Sequence, residues 1–277
     1  MALQHFCRSA LLDMDFMSFH KPLVFHRDNA TAPRHVFYGI SQGGVLGGAY
    51  AALAGARGLL DGTILGNPGT PFSLLMPRSD IFPFYEALML MNLHYKRHVR
   101  IVLSLMQIFW DSVEVTGVLS PPLTEPVPKT IIFTGLGDST VSTLGAEVLA
   151  RAYGAVVVEG GGNRHPHGLA VAQEVDALNT DEIGISLLQE RAPLSSTTFT
   201  SAAVFTEILY EKEWQSTNAL SDRTAQRREN VPHNDVHWCT RLDPALQHQI
   251  DVFIVEGLFV DPCKEDANGC VRSNATC

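Results

Sequence analysis

The sequence predicts an α/β protein in which a mostly parallel sheet carries helices on both faces. Three observations lead to that expectation. Short apolar, β-branched runs recur at residues 35–38, 63–65, 130–134 and 155–158. Helix-like stretches separate them, at 45–56, 82–110 and 144–152. The 277 residues are 45% hydrophobic and 18% charged, which suits one large packed domain and argues against disorder. Strand–helix alternation with short apolar strands is the pattern of a parallel sheet buried on both sides.

The elements follow in order. Residues 2–20 read as an amphipathic helix. The run at 35–38 is a strand that enters a Gly-rich turn, and 45–56, rich in Ala and Leu, is a buried helix ended near Gly58. A second strand at 63–65 closes on Gly66-Asn-Pro-Gly69. Residues 82–110 are apolar with helical spacing and predict two helices. Pro121, Pro122, Pro126 and Pro128 mark a linker. The run 130–134 is the next strand, 144–152 a helix and 155–158 another buried strand. Beyond Gly160 the pattern weakens. Residues 202–210 read as a strand or an edge segment, and 211–235 as an exposed polar stretch. The spacing of Leu246, Ile250, Phe253 and Ile254 predicts a last helix over 244–255.

Charge and motifs exclude several functions. The net charge is −9 and no basic block occurs, so a nucleic-acid partner has no electrostatic footprint. No apolar run is long enough to span a bilayer. There is no HExxH, CxxC or P-loop pattern. His165 and His167 lack a carboxylate at metal-binding spacing, so no metal or cofactor is expected. The N-terminus lacks the charged and apolar regions of a signal peptide. A polar tail at 261–277 holds Cys263, Cys270 and Cys277, and Asp-Ala-Asn-Gly between the first two favours a turn that would bring them together. With the sequons at Asn29 and Asn274, that tail points to an extracellular or secretory setting. Cys7 and Cys239 stand alone.

The Gly39-Ile-Ser41-Gln-Gly43 segment matches G-x-S-x-G, with a strand before and a helix after. So sharp a turn forces a strained conformation on the serine and exposes its hydroxyl. Small residues at Gly39 and Gly43 avoid clashes there, and Gly44, Gly47 and Gly48 let the helix approach the sheet. The N–H of Gln42, at the helix N-terminus, is placed to hold an oxyanion. Ser41 is therefore the candidate nucleophile.

A serine nucleophile needs a base and an orienting carboxylate. Asp138 lies just past strand 130–134, through Gly135-Leu-Gly137, and so on the functional edge of a parallel sheet. Asp111 is the rival acid, but it follows a helical stretch. Three candidate histidines come after Asp138. His165 and His167 follow the strand ending at Val158, whereas His237 precedes the last helix. Periodicity does not choose among them.

The stretch from Tyr38 to Tyr50, Tyr-Gly-Ile-Ser-Gln-Gly-Gly-Val-Leu-Gly-Gly-Ala-Tyr, resembles an uncharacterised family of large, apparently secreted α/β-hydrolases. The likeness continues through Leu65-Gly-Asn-Pro-Gly69, Ser73-Leu-Leu-Met-Pro-Arg-Ser79, Leu136-Gly-Asp138, Glu147-Val-Leu-Ala-Arg151, Asn234-Asp-Val-His237 and Gln249-Ile-Asp-Val-Phe253. It covers most of residues 10–270, and its turn motif is generic to the fold. The resemblance implies an α/β-hydrolase-type sheet and selects His237 as the base. It further implies a serine hydrolase and says little about substrate; the Met-rich apolar stretch 82–110, if a cap, suits carboxylic esters or lipid-like acyl substrates. The domain would span 1–260, with 70–125 as a helical cap or as helices that complete the core. Two departures stand out. Trp238 and Cys239 follow His237 where a small residue is usual. The chain also begins just before the serine's strand, so the family's earlier strands, and the loop with a second oxyanion N–H, are expected to be missing. Loss of such a donor costs ~10²–10³ in rate. The alternative expectation is a catalytically inactive fragment with a binding role, or one that needs a missing N-terminal segment.

Overall fold

A computed structural model describes residues 34–120, 127–158, 169–171, 203–210, 233–264 and 270–272. Its centre is a parallel sheet in the order β1-β2-β3-β6-β4-β5. The strands are β1 (Val36–Ile40), β2 (Gly62–Gly66), β3 (Lys129–Gly135), β4 (Val156–Val157), β5 (Ala170–Val171) and β6 (Ala203–Tyr210). A short β7 (Val271–Arg272) pairs in parallel with the end of β6. Every residue of β2 and β6 is buried, as a sheet covered on both faces requires.

Two cores flank the sheet. One holds Ile64, Ile131, Phe133, Val204 and Ile208 against Val236, Leu246 and Phe253. The other holds Leu65, Ile132, Val157 and Phe205 against Ala49, Ala52, Leu149 and Tyr153. Alternate residues of one strand thus feed opposite cores, the period-2 consequence of the pleat. The helices are α1 (Gln42–Gly55), α2 (Phe72–Leu75), α3 (Phe82–Leu93), α4 (Lys96–Trp110), α5 (Val115–Val118), α6 (Thr143–Ala152), α7 (Val236–Leu242) and α8 (Pro244–Glu256). None is long and apolar enough to cross a membrane among the described residues.

Helix α1 packs unusually close to the sheet because its inner face is Gly and Ala. A Cβ on Gly44 would lie 2.8 Å from the Gly66 carbonyl oxygen, and one on Gly48 would meet Val115 at 2.5 Å. Helices α3 and α4 are the two helices expected over 82–110. They pack on each other through Phe82, Val99 and Leu103. Their outer faces leave Phe84, Met91, Ile101, Leu105, Ile108 and Phe109 exposed.

The structure corrects two expectations. Strand β6 is no edge segment, since it is inserted between β3 and β4. Cys239 does not stand alone: it is disulfide-bonded, and its partner lies outside the described residues. Cys263 and Cys270 do pair, with Cα atoms 5.0 Å apart, inside the usual range for a disulfide. The expected helix at 2–20 and the proline linker up to Pro126 lie outside the described residues.

Candidate active site

Strand β1 ends at Ile40, and α1 begins at Gln42, so one residue makes the whole turn. That residue is Ser41, with φ at 58°, a region an L side chain enters only under strain. Two backbone hydrogen bonds hold it there. The Ser41 N–H donates to the Gly66 carbonyl at 2.8 Å, and the Val45 N–H donates to the Ser41 carbonyl at 2.8 Å. The two flanking glycines are not equivalent. A Cβ on Gly39 would collide with the Gly43 carbonyl, whereas one on Gly43 would meet nothing within 4 Å among the described residues. Gly39 therefore carries the steric requirement expected of both. Gln42 is the first residue of α1, and first-turn amides have no intrahelical acceptor.

Asp138 sits in the loop after β3 and is 4% exposed. The loop is closed around it. Thr143 Oγ1 accepts from the Gly137 N–H at 3.1 Å and donates to the Gly135 carbonyl at 3.0 Å. The Thr140 and Val141 amides donate to Asp138 Oδ1 at 2.7 and 3.0 Å. Val141 thus fastens the loop through its backbone. The other oxygen, Oδ2, lies 2.7 Å from His237 Nδ1. The rival acid, Asp111, caps the end of α4 and accepts from the Gln107 side chain at 2.7 Å.

His237 is the second residue of α7 and is 4% exposed. Its Nε2 lies 2.9 Å from Ser41 Oγ. One imidazole thus bridges a hydroxyl on a strained turn and a buried carboxylate, within the 2.6–3.2 Å expected of a nucleophile–base pair. Ser41, Asp138 and His237, remote in sequence, meet at the C-terminal ends of β1 and β3. Comparisons with protein-family models, curated proteins and solved structures return no match to this chain. His165 and His167 lie outside the described residues. Trp238, the departure next to the histidine, is exposed, and Arg241 stacks over its ring at 4.2 Å.

Three supporting residues escaped the sequence reading. Asn67, fully buried with φ at 42°, donates from Nδ2 to the His237 carbonyl at 2.9 Å and to Thr240 Oγ1 at 2.7 Å. The signal was the Asn-Pro step at the end of β2, read only as a turn. Asn234 donates from Nδ2 to the Gly137 carbonyl at 2.9 Å, tying the histidine's segment to the acid's loop. Ser139, next to Asp138, accepts from the Asn234 N–H at 3.1 Å.

Proposed function

We propose that this protein is a serine hydrolase of the α/β-hydrolase type that acts on carboxylic esters or lipid-like acyl substrates. The observation that supports this best is the single imidazole spanning 2.9 Å to Ser41 and 2.7 Å to Asp138. In this reading Ser41 Oγ attacks the acyl carbonyl while His237 Nε2 takes its proton. His237 then returns that proton to the departing alkoxide. Asp138 holds the ring and offsets the charge of the imidazolium, and the Gln42 N–H holds the oxyanion. Water repeats the sequence on the acyl-enzyme and releases the carboxylic acid. The exposed apolar faces of α3 and α4 are consistent with a helical cap over an acyl site.

The test is labelling of the full chain with a fluorophosphonate, followed by peptide mapping. Modification of Ser41, abolished in Ser41→Ala, is the expected result. Labelling that persists in Ser41→Ala overturns the assignment. One observation favours a second reading, a catalytically silent α/β-hydrolase-like protein with a binding role: Gln42 is the single oxyanion amide that can be named among the described residues. A folded wild-type chain that resists the fluorophosphonate would favour that reading.

A further inference from the structure

Asp80 lies outside the proposed triad, in the loop between a 3₁₀ turn (Met76–Arg78) and α3. Its side chain is nine-tenths buried. Its N–H donates to the Ser139 carbonyl at 2.8 Å, and its Oδ2 accepts from Ser139 Oγ at 3.0 Å. The same oxygen lies 2.6 Å from His233 Nδ1. Ser139 directly follows Asp138, and His233 stands four residues before His237. One carboxylate therefore grips both the segment that carries the acid and the segment that carries the base. These two segments also share the Asn234–Ser139 hydrogen bond, so Asp80 completes a three-way junction.

We infer that Asp80 is a positioning residue that clamps Ser139 to His233 and thereby holds Asp138 and His237 in register with Ser41. The inference rests on the serine-hydrolase reading for its consequence, but the clamp itself is a matter of geometry. Neither Asp138, in the loop after β3, nor His237, in the first turn of the short helix α7, is held by a strand. A carboxylate that bridges them removes the freedom by which they would drift apart, and displacement by about 1 Å can cost ~10²-fold in rate.

The clamp has a built-in pH dependence. The hydrogen bond from Asp80 is the largest effect on His233 and raises its pKa above the usual value; partial desolvation opposes this, and the charges of Asp80 and Asp235 add to it. Asp235 Oδ1 lies 3.8 Å from His233 Nε2, so among the described residues Asp80 and Asp235 are the charged groups that face the ring. A raised histidine pKa means that the ionic part of the clamp is fully present below the unfolded value of about 6.5 and is lost as pH rises through the folded value. Above that, a neutral Nδ1–H still donates to Asp80, so the clamp loosens rather than opens.

The experiment compares wild type, Asp80→Asn, Asp80→Ala and His233→Ala by two readouts. One is the rate of fluorophosphonate labelling at Ser41, resolved into inhibitor affinity and inactivation rate across pH. The other is the downfield NMR proton of His237 Nδ1, which reports the bond to Asp138 without any turnover. Asp80→Ala and His233→Ala are expected to slow inactivation on the order of tenfold with affinity unchanged, and to broaden or abolish the proton signal. Asp80→Asn keeps an acceptor, so its deficit should be greatest at low pH and shrink as pH rises. His233 is exposed, so His233→Ala keeps the test decisive if Asp80→Ala fails to fold. Wild-type rate and signal in His233→Ala overturn the clamp. Absence of the proton signal from wild type overturns it too. A wild-type signal that the variants lose, without any labelling, sinks the hydrolase reading and leaves the clamp standing.

Discussion

Asp138 divides its two oxygens between different tasks. Oδ1 accepts two backbone amides and fixes the loop, which leaves Oδ2 for His237. An ionised carboxylate accepts only, so Nδ1 of the ring carries the proton and Nε2 presents its lone pair to Ser41. The two amides on Oδ1 thus decide which oxygen faces the ring. Asp138→Asn should keep the loop, because the amide oxygen can still take the two N–H groups. Its NH₂ would then face Nδ1 and favour the wrong tautomer. Labelling of Ser41 should fall on the order of 10⁴-fold while the thermal midpoint barely moves. Labelling kinetics beside a melting curve check this, and a large drop in midpoint would mean that Asp138 is mainly structural. At this scale the sequence was legible where chemistry and spacing coincide. Ser41 sits in a recognisable turn, and Asp138 follows a strand. Asn67 and Asp80 act through a carbonyl and a neighbouring loop, and no local pattern announces such partners.

Among the elements, α8 shows how one polar residue organises a corner. Asp243 caps it, accepting from the Ala245 and Leu246 amides at 3.0 and 3.2 Å. Its other oxygen accepts from Tyr210 at the end of β6 at 3.2 Å and from Arg272 Nε on β7 at 2.8 Å. The cap therefore joins α8, β6 and β7, and the Cys263–Cys270 bridge links the end of the α8 segment to the start of β7. Asp243→Ala removes the cap and also takes an acceptor from the half-buried Arg272 and from the buried Tyr210 hydroxyl. The loss should exceed the typical cap value of about 1 kcal/mol and reach roughly 2–4 kcal/mol, measured by urea unfolding. A loss below ~1 kcal/mol would mean that water replaces the carboxylate. The periodicity of α8 was plain in the sequence. What was not plain is that its cap reaches two strands, because sequence distance hides that contact.

For the whole molecule, strand order decides what is central, and strand order is the least legible feature of the sequence. The runs that became β1, β2, β3 and β4 stood out between helices, and the parallel α/β architecture followed from them. Strand β6 misled for a physical reason. Thr206 and Glu207 interrupt its apolar run, which reads as a half-exposed edge, and its flanks are polar and mixed. Yet both residues are buried, and the strand lies between β3 and β4. Val204 and Ile208 face one core while Phe205 faces the other, so β6 ties the two layers together. This makes a comparison of two phenylalanines informative. Phe205 is fully buried against Ile132, Val157 and Leu149 in the second core, whereas Phe84 on α3 is 68% exposed. Phe205→Ala should cost about 3–5 kcal/mol, because the cavity lies between rigid strands and helices that cannot collapse onto it. Phe84→Ala should stay within about 0.5 kcal/mol. Chemical unfolding of both variants measures the difference. If Phe205→Ala costs no more than Phe84→Ala, β6 does not occupy the centre of the sheet, and the order β3-β6-β4 is wrong.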